Sequence, residues 1–455
     1  MNAITPTFQE QSKTWDLVVV GGGLAGLTAA ALVARQGKSV LVLEKSNHLG
    51  GRAITNVQAG VHFNLGPHAL YCHGHAFRLL LELEVPFQGE QPNPEGLFIH
   101  SEGNLHRLPR TFWSFMTSSL LSLGQRLRLL RFLRNLGSWN ASDFDAQSLD
   151  SFLTQEVGPG SAKELLHTLF RLTTYAADHH LLSAGAALEQ LRMSNAGGVW
   201  YLHDGWQTLI DGLRSVAQSH GAQLSTSAAV RHVYSRPDGV SLVLNGGTPI
   251  DAKAGILATD PDSALKLLEL PGDSPLTRWN AHRIPIKAAC LDMALSKTPK
   301  PNVKAAFAMK NPLYHSEHSA VAKLGPVGTA VIHIAKYLSD GDKASPAVDE
   351  QTLLQYASQI QPGWQNHLLH KRFLPGITVA HALPTAQDGG LAGRPQVAVA
   401  ERPGWYLAGD WVGDRGMLAD ASAASAEASA QEVLRYLKQF PKAALAQQEQ
   451  AHAVR

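Results

Sequence analysis

The stretch WDLVVVGGGLAGLTAAALVARQGKSVLVLEKSNHLGGR, residues 15–52, constrains the fold more than any other part of the chain. Trp15 to Val20 form an apolar, β-branched run of the kind that makes a buried parallel strand. Gly21, Gly23 and Gly26 follow with the spacing G-x-G-x-x-G. The first glycine permits a tight turn, the second lets the backbone come close to a pyrophosphate, and the third allows a helix to pack tightly on a strand. A helix is expected over 24–36, stopped by Gly37, with its positive end aimed at the phosphates. Leu24 and Ala25 fall in its first turn. A second strand is expected over 39–43, and Glu44 at its end is able to accept both ribose hydroxyls of an adenosine, an arrangement that disfavours a 2′-phosphate. Lys45 follows at once. Glycine-rich turns alone are common, but here strand, helix, second strand and terminal acid arrive at consistent spacing.

Gly50-Gly51-Arg52 comes where a plain dinucleotide domain would begin its next helix. Two consecutive glycines let a backbone pass beside a bulky cofactor, and Arg52 is able to counter phosphate or flavin charge. On these residues the chain resembles the FAD-binding N-terminus of the flavin amine oxidase and phytoene desaturase superfamily. Phe63-Asn64-Leu65-Gly66-Pro67-His68 looks like that family's loop past the isoalloxazine ring, which implies cofactor contacts for Gly66, Pro67 and His68. The resemblance also implies that Val230 brings backbone groups to the adenine and that Ala258-Thr259 closes a returning strand. At the other end, GWYLAGDWVGDRGMLADASAASAEASAQEVLRYL carries the matching piece. Residues 405–408 read as a short buried strand, Gly409 as a turn, and Asp410 as a carboxylate near the ribityl chain or phosphates. An alanine-rich helix is expected from about Asp420 to the region of Leu434, with Ala421 at its cofactor end. The family's early Ser-Gly is replaced here by Ser422-Ala423 and Ser425-Ala426.

These features imply an α/β fold: an FAD-binding Rossmann-like domain of the GR2 type with an inserted substrate domain of mixed sheet and helices. The expected division gives residues 1–75, 196–270 and 386–440 to the cofactor domain, 76–195 and 271–385 to the substrate domain, and 441–455 to a tail. Residues 76–195 read as mostly helical, with helices at 148–156 and 161–174; a further helix is expected at 206–220. Strands are expected within 223–234, 239–244, 254–259, 287–293 and 330–334. The 455 residues suffice for two intertwined domains, and a net charge of +2 gives no reason to expect nucleic acid as a partner. Two cysteines, Cys72 and Cys290, make neither a disulfide framework nor a thiolate metal site. His62, His68, Cys72, His73 and His75 invite a metal reading, but their loop is already committed to the flavin and no second ligand cluster accompanies it, so no metal is expected. The polar N-terminus and the lack of an apolar run of about 20 residues suggest a cytoplasmic protein.

A flavin takes a hydride from a C–H bond, so the protein must mainly position substrate and cofactor. His68 is the candidate catalytic side chain, set against a purely local hydrogen bond. Lys287 reads more readily as an edge-strand solvent charge than as a pocket lysine. Gly205 and Trp206 belong near FAD or in the core, and Trp411 either walls the flavin pocket or packs. A Glu-Gly pattern frequent before the last helix of amine oxidases is replaced by Asp414-Arg415-Gly416-Met417-Leu418. Phe373-Leu374-Pro375-Gly376 and Arg394-Pro395 look closer to the phytoene desaturase branch. Residues 113–136 form an amphipathic pattern, with Leu129, Leu130, Phe132, Leu133 and Leu136 opposite Arg128, Arg131 and Arg134. That pattern suits either a membrane surface or a helix packed on the core. The resemblance therefore implies an FAD-dependent oxidoreductase that takes a hydride from an apolar substrate and forms a C=C bond. Electrons would go to oxygen, a quinone or another acceptor. The alternatives are an amine oxidase, a protoporphyrinogen-type oxidase, a flavin-dependent isomerase and a non-catalytic prenyl-lipid carrier of the same fold.

Overall fold

The computed structural model describes residues 14–109, 117, 119–342 and 345–453, with side chains up to residue 440. Two seven-stranded sheets dominate the described residues. The first is ordered Gln223–Ser225, Val40–Leu43, Trp15–Val20, Pro249–Leu257, Gly239–Leu244, Val230–Arg236, and Trp405–Leu407 also pairs with Pro249–Leu257. Its first four strands are parallel. The long strand Pro249–Leu257 divides its pairing: residues 249–252 meet the antiparallel Gly239–Leu244, while 255–257 meet the parallel Trp405–Leu407. A sheet buried on both faces needs apolar residues at every position. Accordingly, Leu17, Val19, Val40 and Val42 pack beneath the helices Leu24–Ala34, Gln207–Ser219 and Leu418–Ala453, while Val18, Val20, Leu41 and Leu43 face a second core.

The last helix runs far beyond the expected region of Leu434, through the stretch read as a tail, to Ala453. Its small residues Ala423, Ala426 and Ala430 share a core with Ala29, Ala30 and Ala31, so two helices lie close on one sheet face.

The second sheet runs Leu368–Ala380, Ile286–Leu295, Ala330–Leu338, Leu313–Glu317, Ala305–Ala308, Leu97–Ser101, Asn104–Arg107. It is mixed, because Ala305–Ala308 pairs in parallel with Leu97–Ser101 while the other pairs are antiparallel. Alternate residues serve opposite faces. Leu291, Met293, Ile332 and Ile334 pack under the helix Pro346–Ile360, and Ala288, Cys290, Ala335 and Tyr337 join the core built by the helices of residues 123–197.

Several expectations change here. Residues 76–195 begin in the helix His75–Glu82, but the helical run expected there is interrupted where Leu97–Ser101 and Asn104–Arg107 form a hairpin on the sheet edge. Its turn residues Glu102 and Gly103 have φ of 51° and 79°, the paired left-handed turn that suits a two-residue hairpin. Pro375-Gly376 falls at a register shift in the edge strand Leu368–Ala380, where a proline costs no ladder hydrogen bond. Lys287 is a correction: its strand is central rather than an edge, and although the residue is exposed it lines the main cavity, as a pocket lysine would. The helix Leu123–Asn135 buries Leu129 and Phe132 against the core, with Leu136 following, so the face offered as a membrane anchor is used in packing. Residues 113–116 and 118 of that pattern lie outside the described residues. Among the described residues no helix is long and apolar enough to cross a membrane.

Candidate cofactor and active site

A cavity of about 1090 Å³ opens at the carboxyl ends of the parallel strands and extends to the face of the second sheet. That is where open α/β sheets place ligands. The volume exceeds the roughly 300–1,000 Å³ of a single small-molecule pocket, which leaves room for a dinucleotide and a second ligand.

At Gly21 and Gly26 the glycine cradle is shaped by close backbone contacts that leave no room for a side chain. Gly21 has φ +113°, and a Cβ there would stand 2.4 Å from the Ala258 carbonyl oxygen. At Gly26 it would stand 2.0 Å from the Gly21 oxygen, so the helix sits as close to the turn as backbone allows. Gly23 caps this helix without a side-chain hydrogen bond, and no acid occupies the first turn, so no side chain of the helix itself competes there with an anionic ligand. Gly50 and Gly51 adopt φ of +127° and +56°, and Gly50 bridges to Gly23 in parallel. The Glu44 carboxylate accepts from the Gly22 amide at 2.7 Å and the Ser46 amide at 2.9 Å, which fixes it at the strand end with lone pairs to spare.

At the other end of the cavity, Ser425 Oγ accepts from the Gly409 amide at 2.9 Å and donates to its carbonyl at 2.8 Å, latching the turn to the last helix. Asp410 is buried. Its Oδ2 accepts from Arg52 Nη1 at 2.8 Å and from the His381 amide at 3.1 Å, and its Oδ1 accepts from His381 Nδ1 at 2.8 Å. Burial alone would raise this carboxyl, but Arg52 and His381 overcome it and hold the group well below the ordinary carboxylate range. Arg394 in turn donates to the Asp410 and Gly416 carbonyls, at 3.1 and 2.9 Å.

His68 opens to the cavity and not to bulk solvent. Burial drives its pKa down to about 4, only partly offset by the backbone oxygens of Gly66 and Arg52, so the ring is neutral near pH 7. Its Nδ1 lies 3.2 Å from the Gly66 carbonyl, which can only accept, so the proton sits on that nitrogen. The ring meets Trp206 edge-on at 5.0 Å. Beside it stand Leu65, Tyr71, Tyr175, Cys290 and Ile377. The tyrosine hydroxyls are spent on the carbonyls of Thr173 and Pro67, leaving their rings to the cavity. Burial pushes the Cys290 thiol up, so it stays protonated.

Of the residues expected at the cofactor, Gly21, Gly23, Leu24, Ala25, Glu44, Lys45, Gly50, Gly51, Arg52, Pro67, His68, Val230, Ala258, Gly409 and Asp410 line this cavity. Gly26 and Gly66 stand behind the lining and shape it by close packing; a Cβ at Gly66 would lie 2.9 Å from Cys290 Sγ. Ala421 is a correction: it is fully buried in the core, and the helix presents Leu418, Ala419 and Ser422 to the cavity instead. Trp411 packs on Trp279 and donates to the Thr259 carbonyl, away from the wall. His381, Tyr71, Tyr175, Cys290 and Ile377 escaped the sequence reading, because each reaches the cavity from a segment with no motif of its own. The histidines of the first loop take separate partners, His62 the Asp204 carbonyl and His75 the Glu427 carboxylate. Cys72 lies beside Gln91, off the cavity wall.

A family model described as flavin containing amine oxidoreductase matches residues 24–288. The chain is 29% identical over 291 residues to a Mycobacterium tuberculosis protein whose name calls it a flavin-containing monoamine oxidase. That match covers 60% of this chain and 63% of the relative, so it spans less than two thirds of the relative's length. A 4,4'-diaponeurosporene oxygenase of Staphylococcus aureus is 24% identical over 267 residues, covering 48% of this chain and 50% of that one. The fold is shared with an oxidoreductase from Methanosarcina mazei at a TM-score of 0.75 and 16% identity, covering 91% of this chain and 99% of that one.

Proposed function

The chain belongs to the flavin-containing amine oxidoreductase family, whose cofactor is FAD, and from that premise we propose that it is an oxidoreductase that removes a hydride from a saturated carbon of an apolar substrate and forms a C=C bond, as a phytoene desaturase-like dehydrogenase does. One observation carries this reading. Among the described residues four carboxylates line the cavity, and each is already engaged. Glu44 binds two backbone amides at the adenosine end. Asp260 caps its own helix through Ser263, Asp262 pairs with Arg283, and Asp410 holds Arg52 and His381. An ammonium entering the cavity would lose its water without gaining a counter-charge, whereas a hydrocarbon suits the wall of Leu65, Tyr71, Tyr175 and Ile377. The name of the staphylococcal relative points the same way.

Glu44 would take the ribose, the first turn of the helix Leu24–Ala34 the pyrophosphate, Val230 and Ala258 the adenosine side, and Gly409, Asp410 and the start of the last helix the flavin side. FAD supplies the acceptor for the hydride, from which electrons pass to oxygen, a quinone or another acceptor. The chain's own residues exclude water and hold the C–H bond in place. His68, neutral, serves as a hydrogen-bond partner and not as a cation. The proton lost from the neighbouring carbon passes to water, and the His381–Asp410–Arg52 cluster holds its geometry at the flavin end of the cavity.

The test is an anaerobic absorbance spectrum of the purified protein before and after adding isoprenoids and amines separately. Flavin bands bleached by an isoprenoid support the reading. Bleaching by amines alone replaces it with an amine oxidase, and a colourless protein that FAD cannot reconstitute leaves a lipid carrier.

A further inference from the structure

A row of polar groups lies buried behind the cavity, none of them part of its lining. Across four adjacent strands the register sets Ser316 beside His333, His333 beside Asp292, and Asp292 beside Arg372. The row lies on the same sheet face as the cavity-lining Cys290, two residues further along its strand. Asp292 and His333 have no exposed surface. His333 Nδ1 donates to Asp292 Oδ1 at 2.6 Å, and Arg372 Nε donates to Oδ2 at 2.8 Å. Burial opposes the Asp292 charge, yet His333 and Arg372 hold its carboxyl below the usual value. Apolar side chains of similar volume would be at least as stable in a sheet core, so stability alone does not account for the row.

Arg372 shows where the row leads. Its Nη2, which also pairs with Asp292 Oδ2, donates to the Asn64 carbonyl, and its guanidinium carbon lies 5.2 Å from the centre of the Phe63 ring. Asn64 Oδ1 accepts from the Trp206 amide at 2.9 Å and from Thr55 Oγ1 at 2.7 Å. Trp206 touches His68, and both rings stand in the cavity wall. Contacts thus run unbroken from Asp292 through Arg372 and Asn64 to the two rings.

We propose that Arg372, clamped by Asp292 and His333, is the positioning residue that fixes residues 63–68, and with them His68 and Trp206, against the cofactor. Its consequence for the flavin rests on the reading above, while the clamp itself does not. Amide hydrogen exchange on the full chain as purified tests the clamp in Arg372→Gln and Arg372→Lys. Lys371→Gln serves as control, since this neighbour on the same strand pairs with Glu350 at the surface. Arg372→Gln should speed exchange of residues 61–69 by about tenfold or more beyond any change in Trp15–Val20, because a local opening is made easier without the global one. Arg372→Lys should fall between, as a point charge keeps the pairing with Asp292 but loses the fork and the stacking on Phe63. The second readout is the visible circular dichroism of bound flavin, which should change in Arg372→Gln while the dissociation constant for FAD does not. Exchange that is unchanged at 61–69, or faster everywhere equally, overturns the clamp. A loosened segment with an unaltered flavin signal overturns its role at the cofactor.

Discussion

Replacing Gly26 by alanine puts a methyl group 2.0 Å from the Gly21 carbonyl oxygen and 3.2 Å from the Ala258 Cβ, and neither neighbour is a flexible side-chain end. Ordinary contact begins at 3.4 Å, so the first turn of the helix Leu24–Ala34 must retreat by about 1.4 Å. Overpacking of this kind costs up to about 3 kcal/mol, and alanine in place of glycine inside a helix returns about 1 kcal/mol. The net loss of stability is then about 2 kcal/mol, a few degrees in melting temperature. The same retreat withdraws the turn's amides from a pyrophosphate. Hydrogen bonds to a charged group contribute about 1.5–3 kcal/mol, so FAD should bind roughly ten- to a hundredfold more weakly at about 1.4 kcal/mol per decade. Gly37→Ala separates the two effects. Gly37 has φ +70° with nothing within 4 Å of an added Cβ, so its cost is about 1–2 kcal/mol of left-handed strain with no displacement. Thermal melts alongside titration of flavin-free protein with FAD, followed by fluorescence quenching, measure both quantities. If Gly26→Ala melts earlier yet binds FAD like the parent, or if Gly37→Ala weakens FAD equally, the cradle argument is wrong.

Three further outcomes follow from the site. Glu44→Gln replaces a carboxylate that accepts from two amides with a group whose NH₂ cannot accept; FAD affinity should fall by about tenfold, and an unchanged titration would remove Glu44 from the ribose site. Asp420 is raised by burial to about 6, only partly opposed by the amides of Ala76 and His75. A raised native value means that stability falls as pH rises from about 4 to 6 and stays lower above that window. Asp420→Asn keeps an acceptor for the Ala76 amide and should lose this slope in melting curves taken across the window; identical pH profiles would refute the assignment. Cys72 lies off the cavity wall, so acid precipitation should release the flavin equally from the parent and from Cys72→Ala. Flavin retained in the parent pellet alone would show a covalent link there.

The cofactor cradle was legible because its chemistry is local. Gly21, Gly23, Gly26 and Glu44 lie within 24 residues of one another, and their spacing follows from the dimensions of one strand, one turn and one helix. The turn at Gly409 was readable for the same reason. Two elements were misjudged where local contrast fails. The hairpin at Glu102-Gly103 has strands of only five and four residues, too short for a period of two to stand out. In LADASAASAEASA nearly every side chain is small, so no periodicity tells which face meets the cavity. The rotation that buries Ala421 and presents Ser422 comes from packing on the helix Leu24–Ala34.

By itself, then, the sequence determined the nucleotide-binding βαβ unit, the glycine pair after it and the strand and turn that return at the C-terminus. Only the tertiary structure decided that Asp410 is spoken for by Arg52, 358 positions away, and that Arg372 reaches both Asp292 and the loop at Asn64, 308 positions away. It also decided that Tyr71, Tyr175, Cys290 and Ile377 share one wall. The division has a simple cause. Backbone geometry binds residues a few positions apart and leaves its mark on their spacing. The pairing of buried charges, and the choice of which apolar side chains face a cavity, depend on how sheets and helices far apart in the chain come to pack.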